Sequence, residues 1–196
     1  IYDLNNDFEN SISDSSSMTS YFVVEETVSE NVWDVNLSQS MTLIPDSNYT
    51  VSFKARSSID RTIIAGLGLY HDPWTNAGEP VDLTTAWQTF TLSQTTADFG
   101  DDESRILFDM GGDQGGQVWI DDVSVLTSDG TELVTNGDFQ SGVAGWGGGA
   151  ATAENIKTHP IGTEGYAEYI DVDSFVDFFI LNEFLSIYSF FSMLEQ

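Results

Sequence analysis

Three features of this 196-residue sequence predict an all-β fold, a two-layer sandwich of the jelly-roll kind. Short runs of alternating apolar and polar residues recur at intervals of roughly 10–15 residues. Clusters of Gly, Pro, Asn, Asp and Ser separate those runs. Hydrophobic residues make up 40% of the chain and aromatics 13%, enough to fill the space between two sheets.

The strands expected in order are Tyr21–Glu25, Val32–Gln39, Tyr49–Ala55, Arg61–Tyr70, Trp87–Ser93, Arg105–Met110 and Val118–Val125. In the third, Tyr49, Val51, Phe53 and Ala55 share one face while Thr50, Ser52 and Lys54 share the other, the mark of a strand buried on one side. In the fourth, Ile63, Ala65, Leu67 and Leu69 face one way. Gly66 and Gly68 lie on the opposite face, which ends at Tyr70, and two side-chain-free positions there predict a shallow trough. In the sixth, Arg105 and Asp109 point to one face and Ile106 and Phe108 to the other. Trp87 and Trp119 are expected in the core. Turns are expected at Pro45–Asn48, Ser57–Asp60, Asp72-Pro73, Asn76–Gly78 and Gly111–Gly116.

Beyond residue 127 the character changes. Residues 128–160 read as the start of a second module that stops short, followed by a Gly/Ala-rich linker at Gly147–Ala151. Asn136–Gly142 echoes the stretch beginning at Asn6, with Asp138-Phe139 matching Asp7-Phe8 at a spacing of about 130 residues. Residues 161–196 read as a fragment of another domain. Within them Asp173–Leu194 is nearly continuous apolar sequence without Gly or Pro, and its length predicts a hydrophobic helix.

Charge narrows the function. The chain carries 32 acidic and 5 basic residues, a formal net charge of −27. Such a balance excludes non-specific nucleic-acid binding, which needs Lys and Arg on phosphates, and disfavours an anionic membrane surface. No cysteine is present, so disulfides, thiolate zinc sites and cysteine nucleophiles are excluded. His71 and His159 are the two histidines, too few for a multi-histidine metal centre. The chain opens on Ile1 without a signal sequence and is read as part of a longer, secreted bacterial polypeptide.

Six elements in order carry a resemblance: Asn6–Glu9, Trp33–Gln39, Asn48–Ala55, Trp87–Leu92, Arg105–Gly112 and Val118–Val125. Together residues 5–126 resemble carbohydrate-binding modules of families 4 and 9. The resemblance implies a jelly roll whose concave face binds a glycan, appended to secreted glycanases and not itself catalytic. The Asp72-Pro73-Trp74 and Arg105–Gly112 stretches look most like modules attached to laminarinases, which favours β-1,3-glucan over mixed-linkage glucan or xylan as ligand. By resemblance, Gln39, Tyr70, Trp74, Arg105 and Asp109 match cleft positions. Independently, sugars are held by flat aromatics on the pyranose face and by planar polar groups that bridge neighbouring hydroxyls, and Tyr70, Trp74, Arg105 and Asp109 supply both. One departure stands out: Ser11–Ser17 lacks the aromatic that the family carries in its first-strand region.

The same resemblance implies a structural Ca2+ remote from the cleft, with Asp121 as the best side-chain ligand and Asp7 or Glu9 contributing. Hard oxygen donors suit that ion. The alternative function is a structural or adhesive sandwich that serves as a spacer without a glycan cleft. A kinase activity lacks a phosphate-binding glycine loop with a partner lysine. Residues 165–183 nevertheless resemble a short segment of the spore-coat protein H family of kinase-like proteins, which suggests a multidomain parent.

Overall fold

A computed structural model describes residues 19–159. The helix expected at Asp173–Leu194, and the kinase-like stretch around it, lie outside the described residues. Nine strands are described: β1 (Thr19–Val24), β2 (Asn36–Met41), β3 (Asn48–Ser57), β4 (Arg61–Leu69), β5 (Glu79–Leu83), β6 (Gln88–Thr95), β7 (Ser104–Asp109), β8 (Val118–Thr127) and β9 (Ile156–His159). They form a five-stranded sheet ordered β6-β3-β8-β1-β9 and a four-stranded sheet ordered β2-β7-β4-β5, the two layers of a jelly-roll sandwich. The strand pairs between β1 and β8 are antiparallel.

Alternation sets the layers. Tyr49, Val51, Phe53 and Ala55 of β3 are buried, as are Ile63, Ala65, Leu67 and Leu69 of β4. Phe53 of the five-stranded sheet stacks on Phe90 at 5.3 Å and meets Phe108 of the four-stranded sheet edge-on at 5.0 Å, so rings from both layers close the interior. Each fully buried side chain of this size contributes about 1.5–3 kcal/mol by leaving water.

Three expectations change. The run beginning at Val32 does not start as a strand: Val32–Asp34 is a 3-10 turn, because the Asp34 carboxylate accepts the Asn31 backbone N–H at 2.8 Å and closes the chain into a cap before β2 begins. β5 contains Pro80, which masks it in the sequence, and it sits at a sheet edge, where a missing N–H is tolerated. Trp119 and Trp87 lie half-buried on the outer face of the five-stranded sheet, not in the core. Val118 and Ile120 take the inward positions of β8, and alternation turns Trp119 outward.

The segment expected to be the truncated start of a second module and a Gly/Ala-rich linker packs onto the sandwich instead. Val134, Phe139, Trp146 and Ala150 are buried in the same core as the strands. Phe139 lies 5.9 Å from Phe22 and 5.1 Å from Trp146, whose ring is 6.5 Å from Phe108. Ser38 and Gly147 exchange both backbone hydrogen bonds, at 2.9 and 2.7 Å, and the Ala150 N–H donates to the Asn36 carbonyl at 3.0 Å. Gly147–Ala150 thereby lines the outer edge of β2, and the backbone groups of an otherwise open sheet edge are satisfied. The sandwich thus extends well past residue 127.

Candidate functional site

The outer face of the four-stranded sheet follows from its register. Asn36 pairs with Asp109 and Ser40 with Arg105 across β2 and β7, while Ile64 pairs with Asp109 and Gly68 with Arg105 across β4 and β7. These positions share one parity and leave the core. Gly66 and Gly68 do not open the trough that two missing side chains suggest. The loop Thr75–Gly78 lies directly over them: a Cβ on Gly68 would come within 2.5 Å of the Asn76 Cβ, and one on Gly66 within 2.7 Å of Gly78. The glycines make room for that loop, and the open trough lies beside it.

That trough encloses about 580 Å³. Its aromatic walls are Tyr70, Trp74 and Trp33; its polar lining is Asn36, Asn76, Arg105 and Asp109; Gly148 and Gly149 form the remaining side. Trp74 follows the Asp72-Pro73 cis peptide with φ at +62°, a backbone region that costs a non-glycine residue about 1–3 kcal/mol, and the residue is 52% exposed. Two hydrogen bonds fix the turn: the Trp74 N–H donates to the His71 carbonyl at 2.7 Å, and the Asn76 side chain donates to the Trp74 carbonyl at 3.2 Å. His71 in turn meets the Asp101 carboxylate at 2.8 Å.

Arg105 lies over both rings, its guanidinium carbon 4.8 Å from the Tyr70 centroid and 5.7 Å from that of Trp74. Asn36 stands between Arg105 and Asp109: its amide nitrogen donates to Asp109, and its carbonyl oxygen accepts from Ser38 at 2.6 Å and from Arg105 at 3.4 Å. Arg105 also donates to Ser38 at 3.1 Å. Burial pushes the Asp109 carboxyl above the ordinary carboxylate value, against the opposing pull of the Asn36 hydrogen bond and the Arg105 charge. Burial likewise lowers Arg105, with Asp109 and Tyr70 acting in the other direction. The arrangement offers aromatic faces for a pyranose ring and planar polar groups for its hydroxyls.

Of the five residues expected in the cleft, Tyr70, Trp74, Arg105 and Asp109 come together here. Gln39 does not. It pairs with Ile106, one step out of phase with Arg105, and is therefore turned to the inner side of β2. There it is 3% exposed, and its side-chain amide clasps the backbone of Thr135, accepting from the N–H at 2.7 Å and donating to the carbonyl at 2.8 Å. Trp33, Asn36, Asn76, Gly148 and Gly149 were not expected in the site. Asn36 shares the parity of Arg105 and Asp109, a signal present in the sequence once the β2–β7 register is fixed.

Asp121 is placed on β8, and its carboxylate accepts the Asp122 backbone N–H at 2.8 Å. Asp7 and Glu9 lie outside the described residues. Among the described residues no three acidic or histidine side chains converge on a point that could hold a metal ion.

The model of the carbohydrate binding domain family CBM_4_9 matches residues 4–115. Among solved structures, "CBM4 structure and function" is 33% identical, with a TM-score of 0.51 over 55% of this chain and 71% of that one. "PbXyn10C CBM APO" is 23% identical, with a TM-score of 0.60 over 79% of this chain and 98% of that one, and shows the shared fold. No curated protein matches the chain.

Proposed function

From the premise that the chain belongs to the CBM_4_9 family of carbohydrate binding domains, non-catalytic modules that bind polysaccharide, we propose that it holds a single β-glucan chain, β-1,3-glucan first, in the trough between Tyr70, Trp74 and Trp33. The observation that carries this reading is the joint placement of exposed aromatic rings and buried planar polar groups in one concavity of about 580 Å³. Trp74 and Tyr70 cover the apolar faces of the sugar rings. Asp109, Asn36 and Asn76 exchange hydrogen bonds with ring hydroxyls, and Arg105 is held in place by Asn36 and Ser38. A neutral glycan meets no repulsion from a surface of net charge −27. Laminarinase-type motifs at Asp72–Trp74 and Arg105–Gly112 support β-1,3-glucan over xylan or cellulose. The module on this reading tethers a larger secreted polypeptide to polysaccharide outside the cell.

Calorimetric titration of the full chain with laminarin, xylan and cello-oligosaccharides tests the proposal. Saturable binding of laminarin, tighter than the other two and without release of reducing sugar, is the expected result. Preference for xylan or cello-oligosaccharides would overturn the β-1,3 assignment. No binding by a folded chain to any of them would overturn the glycan trough and favour a structural spacer.

A further inference from the structure

The turn that carries Trp74 leans on a second turn, residues 101–104, through one histidine. The Trp74 N–H donates to the His71 carbonyl at 2.7 Å, and the Tyr70 N–H donates to the Glu103 carbonyl at 2.9 Å. The His71 ring joins the two turns. Its Nε2 lies 2.8 Å from an Asp101 carboxylate oxygen, and its Nδ1 lies 2.7 Å from the Asp72 carbonyl oxygen. Asp101 is a fixed post. Its other carboxylate oxygen accepts the Glu103 N–H at 3.0 Å and the Ser104 hydroxyl at 3.1 Å, and its carbonyl accepts the Leu43 N–H at 2.9 Å. Both ring nitrogens of His71 therefore face oxygens that only accept. A neutral imidazole has one N–H and satisfies one of them; the imidazolium has two and satisfies both. Turning the ring over would set a carbon against each oxygen and satisfy neither.

We propose that the His71 imidazolium positions Trp74 over the trough and, on the reading that the trough holds a glycan, that affinity falls as this ring loses its proton. The carboxylate is the stronger of the two acceptors, so the single proton of the neutral ring stays on Nε2. The Nδ1 lone pair then meets the Asp72 carbonyl oxygen at 2.7 Å with no hydrogen between them. That contact turns from attraction to repulsion, and the Asp72 carbonyl is pushed away. Trp74 is two residues further on and hangs by its own N–H on the His71 carbonyl, so the displacement reaches the ring 5.7 Å from the Arg105 guanidinium. Its φ of +62° persists only where the surroundings hold it. His71 lines no wall of the trough, so it acts through Trp74 as a positioning residue. The Asp101 carboxylate most strongly, then the Asp72 carbonyl, with the Glu103 charge adding to both, raise the imidazole above its ordinary value of 6.5 against the cost of desolvation. The seated turn thus binds the proton more tightly than the loosened one. The tight-binding form is fully present below 6.5 and is lost as pH rises through the raised value.

Laminarin titrations of the full chain from about pH 5 to about 9, beside those of His71→Gln, test the coupling. The unsubstituted chain should lose roughly 3- to 10-fold in affinity, the worth of one hydrogen bond, with a midpoint above 6.5. His71→Gln should bind at the weaker level throughout and show no such step. Asp109 titrates in both chains, so the difference between the two profiles belongs to His71. Asp101→Asn should move the step to lower pH, since its carboxylate is the chief cause of the raised value. A merely structural histidine would change affinity equally at every pH. NMR of the Trp74 ring C–H signals over the same range, without ligand, separates this coupling from the glycan reading. Those signals should shift with the His71 midpoint in the unsubstituted chain and stay still in His71→Gln. If laminarin binds at no pH, the glycan reading fails, and a Trp74 ring that still titrates with His71 upholds the positioning role. A Trp74 ring indifferent to the His71 titration, a bound laminarin whose affinity is flat with pH, or an equal step in His71→Gln would overturn it.

Discussion

Each sheet of the sandwich carries on its outer face an arginine set against two aromatic rings, and each stack borders a concavity, of about 580 Å³ beside Arg105 and about 570 Å³ beside Trp119. On the four-stranded sheet, Arg105 lies over Tyr70 and Trp74 at 4.8 and 5.7 Å. On the five-stranded sheet, Arg56 lies over Trp119 and Trp87 at 4.5 and 5.3 Å. In the second stack Tyr21 packs edge-on against Trp87 at 6.3 Å, the Trp87 indole nitrogen and Arg56 Nε are both buried without a hydrogen-bond partner, and Trp119 lines its concavity with Tyr21, Glu25, Gln117 and Lys157. The first stack ends on a ring held out into solvent by a left-handed residue, with Asp109, Asn36 and Asn76 beside it. The two stacks differ in the exposed Trp74 ring and in the buried Asn36–Asp109 pair, which stand only beside the first.

Substituting the two arginines should separate the faces most sharply. Arg105→Ala is expected to weaken laminarin binding by about 2 kcal/mol or more, a loss of roughly 30-fold, because it removes the group that braces both rings against the polar floor. Arg56→Ala should leave affinity unchanged and lower the melting midpoint, since that stack lies on the sheet opposite the proposed trough and covers apolar ring surface. Titration and thermal melts of both variants check the pair. Equal losses of affinity would erase the distinction.

Gln39 tests the far wall. Gln39→Ala removes the buried side chain that pairs with both backbone groups of Thr135 and should cost about 1–3 kcal/mol of stability, read by chemical denaturation. It should weaken glycan binding only as far as Gly148 and Gly149 lose their seat. A loss of affinity without any loss of stability would return Gln39 to the cleft.

Asp109 should give a smaller, pH-dependent effect. Burial raises its carboxyl above the ordinary value of 3.8, so the folded chain binds that proton more tightly than the unfolded chain. Its contribution to stability is fully present below the ordinary value and declines as pH rises through the raised one. Asp109→Asn keeps the Asn36 contact and should flatten stability against pH across that window. An unchanged slope in denaturation measured from pH 3 to 7 (roughly the range of a perturbed carboxylate) would contradict the buried, charge-penalised role.

Alternation made most of this architecture legible in the sequence. Seven of the strand segments, the inward faces of β3 and β4, and the shared face of Arg105 and Asp109 follow from period-two patterning alone. The same rule, carried further, separates Gln39 from Arg105 and turns Trp119 outward, but it acts only once strand register is known, and register is a property of pairing that no single strand displays. Trp33 was hidden because a cap at Asn31 and Asp34 takes its segment out of the strand period. The glycine-rich stretch after Trp146 read as a linker because composition reports conformational freedom and not the carbonyls that crowd each position. Gly148 is small because Asn36 stands against it.

The measurement closest to the central claim is a laminarin titration of Trp74→Ala beside Trp119→Ala. The two tryptophans both stack on an arginine, one at the proposed trough and one on the outer face of the five-stranded sheet. Trp74→Ala should lose nearly all binding with an unchanged melting midpoint, while Trp119→Ala should bind as the unsubstituted chain does. Full affinity in Trp74→Ala, or its loss in Trp119→Ala, would place the glycan on the wrong face of this account.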